Sequence, residues 1–177
     1  EIKAHGVSLT LGAYQWSLKT GKTPEIPQFL IATKDAAPVS AAHAIARALY
    51  TARDLILTPS NIKNPLWMAQ EAQTIADEMG LSIRILAGKD LAKFGGLRAV
   101  GNSSPKPGPR FIEITYVPRG KAKSAAALPH VVIVGKGITF DTGGVSLKRP
   151  YEFMTAMKSD MAGAAAALAT LSALPDL

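Results

Sequence analysis

From residue 64 onward, segments with helical signals alternate with short runs of apolar and β-branched residues. Asn64 followed by Pro65 is a strong start for a helix, and Gly80 is typical of the position just after a helix end. The alternation predicts an α/β fold with a mainly parallel or mixed sheet flanked by helices. The later segments are predicted as strands at 81–86, 111–117 and 131–134, the last of them buried, and as helices at 89–94 and 155–174.

The region upstream is predicted to hold two short strands and one long helix. The strands at 7–18 and 29–33 are separated by a Gly-Lys-Thr-Pro turn and are too few to form an independent core. The helix is expected to begin near Pro38 with Ser40 as its cap, and to stop before Pro59.

The composition excludes several kinds of chemistry. The chain has no cysteine, which rules out disulfides, cysteine-based zinc sites and a cysteine nucleophile. Its histidines, His5, His43 and His130, are too scattered to suggest a histidine metal cluster. The longest uncharged stretch, 161–174, is shorter than the roughly 20 apolar residues of a membrane span. Because no signal peptide is recognisable, we expect a soluble cytoplasmic protein that does not bind a membrane.

The net charge of +7 comes entirely from residues 1–130, whereas residues 131–177 are neutral. Positive charge is densest over 93–123, which suggests binding to nucleic acid or another polyanion. Its prolines, glycines and few aromatic residues also fit a solvated loop face, the commoner source of such charge runs. The only acidic residue there is Glu113, and the basic residues are Lys93, Arg98, Lys106, Arg110, Arg119, Lys121 and Lys123.

The candidate chemistry follows the predicted strand 131–134. The sequence GKGITFDTGGVSLK, from Gly135 to Lys148, contains four glycines. Glycines at this density after a buried strand indicate sharp turns and close approach of the backbone to another group. The spacing of a phosphate-binding Walker A loop is absent, and Phe140 stands where the dinucleotide-binding motif needs glycine. Ligand sites of parallel sheets lie beyond the carboxyl ends of the strands, where this segment begins.

Two charged pairs stand out in this region, Lys136 with Asp141 and Lys148 with Asp160. The lysines are either ordinary ion pairs or groups that lose a proton by desolvation and act as a base or a ligand. Asp160 is expected on a helix face of Ala, Gly and Met, where an unpaired carboxylate is costly. A metal ion or a lysine must therefore compensate its charge. Oxygen ligands without histidine or thiolate suit Mn²⁺, Mg²⁺ or Zn²⁺.

Two stretches resemble the leucyl aminopeptidases, the M17 family of two-metal exopeptidases. They are VGKGITFDTGGVSLK at 134–148 and MKSDMAGAAA at 157–166. Residues 52–65 are also similar to the segment that joins the two domains of the family.

The resemblance implies a division of the chain into three parts. Residues 1–37 would be the C-terminal end of a smaller α/β N-terminal domain, and 38–58 the joining helix. Residues 59–177 would be the N-terminal half of the catalytic metallopeptidase domain.

The resemblance also implies roles for individual residues. Lys136 as a neutral amine, Asp141 and Asp160 would bind two divalent ions, Mn²⁺ or Zn²⁺, with Mg²⁺ and Co²⁺ as further candidates. Lys148 would be catalytic and would stabilise the developing oxyanion. Met157 would line the pocket for the N-terminal side chain of the substrate, although plain core packing is an equal alternative. The implied reaction releases leucine-like N-terminal amino acids from peptides through a water that the two ions activate.

The sequence departs from the family pattern in two places. The span from Lys148 to Asp160 is one residue longer than usual, with Arg149 ahead of Pro150. The later Asp-Thr-Asp-Ala-Glu-Gly-Arg motif of the family does not occur within residues 1–177. Because two aspartates and one lysine cannot both neutralise and coordinate two divalent ions, we expect this chain alone to be inactive.

Three hypotheses about function therefore stand. The first is an aminopeptidase whose partners are a peptide with a free N-terminus, the remainder of the same protein carrying the missing Asp, Glu and Arg, and further copies in a homo-hexamer. The second is a non-catalytic assembly or regulatory fragment of the same fold. The third, ranked below both, is binding of DNA or another polyanion through 93–123.

Overall fold

The computed structural model describes residues 1–22, 24–104, 106–118, 120 and 127–177. These ranges hold six α-helices and two strands, with short 3₁₀ turns at Gly88–Leu91, Met157–Ser159 and Leu174–Asp176. The helices are α1 (Ile2–Gly12), α2 (Ala37–Leu57), α3 (Pro65–Met79), α4 (Gly95–Gly101), α5 (Tyr151–Ala156) and α6 (Ala162–Ala173), and the strands are β1 (Ser82–Ala87) and β2 (Arg110–Thr115).

Helix α2 is the centre of the helical packing and contacts both α1 and α6. Small side chains allow α2 and α6 to approach closely, and Ala48, Ala169 and Ala173 form one buried cluster between them. A second buried cluster lies between α2, α3, α6 and the sheet; its members are Leu55, Met68, Ala72, Met161, Ala165 and Leu168. The buried core of the described residues is therefore formed mainly between helices, with only a small sheet packed against it.

The first segment differs from its prediction, because 2–12 is a helix and no strand forms at 7–18 or 29–33. Helix α1 packs on α2 so closely that a Cβ atom added to Gly6 would lie 2.8 Å from the Cβ of Ala42. A helix can bury this face against α2, whereas two isolated strands have no comparable partner. The loose alternation of Val7, Leu9 and Leu11 was therefore a poor guide to structure.

Helix α2 occupies the predicted joining-helix region and ends at Leu57, before Pro59, as predicted. The predicted cap is wrong, because Ser40 lies inside the helix. The N-cap residue is Ala36, whose methyl side chain makes no capping hydrogen bond. The carboxylate of Asp35 instead accepts a hydrogen bond from the N–H of Ala37 at 3.1 Å.

Helix α3 confirms its predicted start and end. The side chain of Asn64 accepts hydrogen bonds from the N–H groups of Leu66 and Trp67, both at 3.0 Å. Pro65 occupies the first helical turn, and Gly80 ends the helix in the left-handed conformation, with φ of 65°. Local capping chemistry alone is sufficient to define this element.

We expect Asn64→Ala to lower the free energy of unfolding by about 1 kcal/mol, because two helix N–H groups would lose their acceptor. Chemical denaturation of the wild type and the variant measures this loss. Asn61→Ala is the matched control, since Asn61 is exposed and precedes the helix. An equal loss in both variants would contradict the capping role of Asn64.

The sheet consists of β1 and β2 and packs against α3. The α/β class with helices flanking a sheet is confirmed, and the two described strands pair antiparallel, whereas the expectation was a mainly parallel or mixed sheet. The register places Ile83 opposite Ile114, next to the buried cluster under α3. It also places Arg84 opposite Glu113, and their side chains form an ion pair at 2.6 Å.

The predicted buried strand at 131–134 is neither a strand nor buried. It has no regular secondary structure and no ladder partners among the described residues, and Val131, Val132 and Val134 are 85%, 82% and 89% exposed. A run of β-branched residues becomes a buried strand only where neighbouring strands cover it, and β1 and β2 pair with each other instead.

The α-helix predicted at 89–94 does not form, and the one predicted at 155–174 is interrupted. The first is a 3₁₀ turn at Gly88–Leu91 followed by the separate helix α4. The second consists of α5, the 3₁₀ turn Met157–Ser159 and α6. Among the described residues, no helix has both the length and the apolar character needed to cross a membrane.

Candidate functional site

The irregular segment that carries Lys136 lies directly on the first turn of α6. A Cβ atom added to Gly135 would be 2.3 Å from the carbonyl oxygen of Gly163 and 2.6 Å from the Cα of Ala164. The carbonyl of Lys136 accepts a hydrogen bond from the N–H of Ala164 at 2.9 Å. This N–H belongs to the first turn of α6, where helices leave donors without internal partners. Glycine at 135 and at 163 is what allows the two backbones to touch.

This contact brings Lys136 beside Asp160, which lies just before α6. The ammonium of Lys136 donates to Oδ1 of Asp160 at 2.9 Å. The Asp160 side chain is only 19% exposed, whereas that of Lys136 is 61% exposed. The second oxygen, Oδ2 of Asp160, is buried and has no hydrogen-bond partner. A buried carboxylate oxygen without a partner is costly, so this atom is available to a cation.

A tight hairpin returns the chain from Asp141 to Lys148. Gly143 and Leu147 form an antiparallel bridge, and the N–H of Lys148 donates to the carbonyl of Thr142 at 3.0 Å. Gly143 adopts φ of 95°, a conformation that L side chains rarely adopt, and a Cβ there would lie 2.4 Å from the carbonyl oxygen of Ser146. The hairpin places the Lys148 ammonium 3.3 Å from Oδ2 of Asp141.

Asp141 is held in its ionised form. Its pKa is lowered chiefly by the hydrogen bond that the N–H of Gly143 donates to Oδ1 at 2.8 Å, with further contributions from Lys148 and Lys136. Desolvation opposes these effects without reversing them. Because Lys136 acts on Asp141 as well as on Asp160, the two lysines and two aspartates belong to one electrostatic cluster.

The pairing within this cluster differs from the expectation. Lys136 pairs with Asp160 rather than with Asp141, and Lys148 pairs with Asp141 rather than with Asp160. The hairpin accounts for the second pair, and the packing of Gly135 on α6 accounts for the first. Asp160 also lies between the 3₁₀ turn and α6 rather than on a helix face, and a lysine does compensate its charge, as expected.

Met157 begins the 3₁₀ turn and is half-buried. Its carbonyl accepts a hydrogen bond from the N–H of Asp160 at 3.1 Å, so the two residues share one turn. The fully buried methionine nearby is instead Met161. Met157 is therefore placed between core and surface.

Two lysines that no sequence pattern singles out hold this turn in place. Lys63 is 1% exposed, and its ammonium donates to the carbonyl of Lys158 at 2.7 Å. The ammonium of Lys158 in turn donates to the carbonyl of Leu57 at 2.8 Å and lies 5.7 Å from the ring centre of Trp16. Within a Pro- and Asn-rich loop, a lysine such as Lys63 looks like an ordinary solvated residue.

The basic stretch 93–123 is only partly described, since Arg119, Lys121 and Lys123 lie outside the described residues. Arg110 donates to the carbonyls of Gly108 and Pro109, at 2.7 and 3.0 Å. The aromatic rings of Phe94 and Phe111 stack on each other with centroids 5.0 Å apart. The Arg110 guanidinium and the two aromatic rings therefore make contacts within the chain itself.

The donor set fits part of a metal site. Asp141 and Asp160 supply carboxylate oxygens, one of them buried and unpaired, and Lys136 reaches Asp160. No group of three or more His, Cys, Asp or Glu residues suited to a metal ion occurs within the ranges that the structure describes. A complete site would therefore need further ligands beyond these three residues.

Comparisons with a family model and with curated proteins both match this chain to cytosol aminopeptidases. The model of the cytosol aminopeptidase family, catalytic domain, matches residues 50–177. The probable cytosol aminopeptidase of Mycobacterium ulcerans is 40% identical over 93% of this chain and 33% of its own length. That of Aquifex aeolicus is 38% identical over 94% of this chain and 34% of its own. The chain thus spans about a third of the length of the curated relatives it matches.

Solved structures agree over nearly the whole chain. The cytosol aminopeptidase from Coxiella burnetii superposes with a TM-score of 0.81 at 30% identity, covering 96% of this chain and 35% of that one. The bottromycin maturation enzyme BotP in complex with Mn gives a TM-score of 0.79 at 35% identity, covering 98% of this chain and 36% of that one.

Proposed function

Because the chain belongs to the cytosol aminopeptidase family, peptidase family M17, we propose that it supplies part of the active site of a metal-dependent aminopeptidase. The substrate would be a peptide with a free N-terminus, from which a leucine-like residue is released. The observation that carries the proposal is Oδ2 of Asp160, a buried carboxylate oxygen without a partner beside the Lys136 ammonium.

In this proposal Asp141, Asp160 and Lys136 would help to hold two divalent ions, Mn²⁺ or Zn²⁺, with Mg²⁺ and Co²⁺ as further candidates. Bound ions of this kind supply Lewis-acid polarisation of a carbonyl and an acidified water. Asp141 supports this role as an ionised carboxylate that the hairpin holds within the same electrostatic cluster as Lys136. The similar fold of BotP in complex with Mn supports manganese as the first ion to test.

The other proposed roles belong to Lys148 and Met157. Lys148 carries a side chain that is 35% exposed and is held at the end of the hairpin, where its ammonium can donate to an oxyanion that develops on the substrate carbonyl. Met157, half-buried one turn before Asp160, would contact the N-terminal side chain of the substrate. Its flexible thioether suits a pocket of that kind.

The remaining parts of the proposal concern the whole protein. We propose that 1–37 ends a smaller N-terminal domain, that 38–58 joins the domains, and that 59–177 is the first half of the catalytic domain. The missing Asp, Glu and Arg would come from the remainder of the same protein, in a cytoplasmic homo-hexamer, so this chain alone would be inactive.

Intact-mass analysis combined with an activity assay tests the proposal. We expect the active preparation to contain the chain together with the remainder that carries the missing motif, and to release N-terminal amino acids from peptides when Mn²⁺ is added. The chain at 18.6 kDa as the sole species should release none. Absence of Mn²⁺- or Zn²⁺-dependent release by the complete protein would refute the proposed activity.

The alternative is a non-catalytic assembly or regulatory fragment of the same fold. A fragment of this kind would bind the complete enzyme and change its activity without turnover of its own. Titrating the purified chain into the complete protein while recording the rate of peptide cleavage separates the two candidates.

A further inference from the structure

Lys63 is the largest fully buried polar side chain in the described part of the protein, at 1% exposure. Its ammonium donates to the carbonyls of Leu55 at 2.8 Å and Ile56 at 2.9 Å. These carbonyls belong to the last turn of α2, where a helix leaves its C=O groups without internal partners. A positive charge at this end of a helix also interacts favourably with the helix dipole.

The third carbonyl acceptor of Lys63 lies far away in the sequence. It is the carbonyl of Lys158, at 2.7 Å, in the middle of the 3₁₀ turn that begins at Met157. Three N–H donors of one ammonium thus meet three carbonyl oxygens, and the sulfur of Met161 lies 3.2 Å away. Burial lowers the pKa of Lys63 to about 8, with a smaller effect from the charge of Lys158, so the three-donor form predominates at pH 7.

The side chain of Lys158 strengthens the same connection from the opposite side. Its ammonium donates to the carbonyl of Leu57, the last residue of α2, at 2.8 Å. The last turn of α2 and the turn before α6 are therefore joined twice, once through the Lys63 ammonium that bridges their carbonyls and once directly by the Lys158 ammonium. The turn so fixed is the one in which Met157 accepts the hydrogen bond from Asp160.

We propose that Lys63 is a positioning residue, which holds the turn carrying Met157 and Asp160 against the end of α2 and so fixes Asp160 toward its metal ion. The metal part of this inference rests on the proposed function. Lys63 itself contacts neither Asp160 nor the substrate. Its effect passes through the Lys158 carbonyl, which lies two residues before Asp160.

The test compares Lys63→Met with Asn64→Ala in the complete protein that contains this chain. Methionine keeps much of the side-chain volume but donates no hydrogen bond, whereas Asn64→Ala perturbs the neighbouring residue without touching the turn. We expect Lys63→Met to weaken Mn²⁺ binding by about 10- to 100-fold, the usual effect of removing a group that orients a ligand, and Asn64→Ala to leave it unchanged. Lys63→Gln, which retains two N–H donors, serves if the methionine variant does not fold.

Hydrogen exchange provides a readout independent of the metal. We expect the amide of Asp160, which donates to Met157, to exchange faster in the Lys63 variant than in the Asn64 variant. Unchanged exchange there in a folded Lys63 variant would overturn the proposal, as would unchanged Mn²⁺ affinity when the wild type binds the ion. A wild type that neither binds Mn²⁺ nor cleaves peptides would refute the proposed function, while the exchange result would still decide whether Lys63 fixes the turn.

Discussion

Lys148→Ala is expected to lower the turnover number of the complete protein by about 10²- to 10³-fold, because a charged donor to the developing oxyanion is lost. Binding of Mn²⁺ is expected to persist. Asp141 keeps the hydrogen bond from the N–H of Gly143, at 2.8 Å, which is the main reason for its low pKa. The measurement is the turnover number at saturating peptide and Mn²⁺, together with a Mn²⁺ titration of the same preparation.

Arg149→Ala is the matched control for this substitution. It removes an equal charge from the adjacent, exposed position, so its turnover is expected to stay close to that of the wild type. Equal losses in both variants would assign the effect to net charge rather than to Lys148. Unchanged turnover in Lys148→Ala would refute the catalytic role directly.

Gly135→Ala is expected to displace Lys136 from Asp160 and to lower turnover by about 10²-fold, the effect of misplacing a reacting group by about 1 Å. The added Cβ would lie 2.3 Å from the carbonyl oxygen of Gly163, 2.5 Å from its carbonyl carbon and 2.6 Å from the Cα of Ala164. All three atoms are backbone and cannot rotate away. The free energy of unfolding should fall by about 1–3 kcal/mol as well.

Gly144→Ala separates this clash from a general effect of losing glycine in the loop. Apart from Gly144 and its two chain neighbours, no described residue has an atom within 4 Å of a Cβ added to Gly144, which occupies the same glycine-rich segment. Its turnover and its stability to denaturant are expected to match those of the wild type. A Gly135 variant as active as the Gly144 variant would show that the backbone contact with α6 is not needed to place Lys136.

The elements that could be predicted from the sequence are those whose ends depend on local chemistry. Asn64 caps α3 by accepting hydrogen bonds from two N–H groups in the first turn of that helix, and Gly80 ends the helix with a positive φ. In both cases the residue that predicts the helix end lies at the helix end itself. The start of α2 was harder to predict, because the carboxylate of Asp35 bonds the N–H of Ala37 from one residue before the N-cap.

The cluster residues could be selected from the sequence, but their pairing could not. Spacing along the chain favours Lys136 with Asp141, which are five residues apart. The observed partner of Lys136 is Asp160, because Gly135 packs on the backbone of α6. Such a contact depends on two distant glycines meeting, which no local pattern reveals.

The exposed run at 131–134 shows a different limit. Its β-branched residues favour a strand, yet a strand also needs hydrogen-bonded neighbours. The described strands pair with each other, and Val131, Val132 and Val134 remain 82–89% exposed. The sequence pattern predicts that the segment forms a strand beside a neighbouring strand. Whether it is buried depends on whether such a strand is there to pair with it.

The hydrogen bonds of Lys63 bear on how this region tolerates sequence divergence. Their acceptors are main-chain oxygens of Leu55, Ile56 and Lys158, which any amino acid supplies at those positions. Substitutions at the acceptor positions leave all three bonds available, whereas one substitution at Lys63 removes them together. These hydrogen bonds therefore tolerate substitution at the three acceptor positions, 55, 56 and 158, but not at position 63.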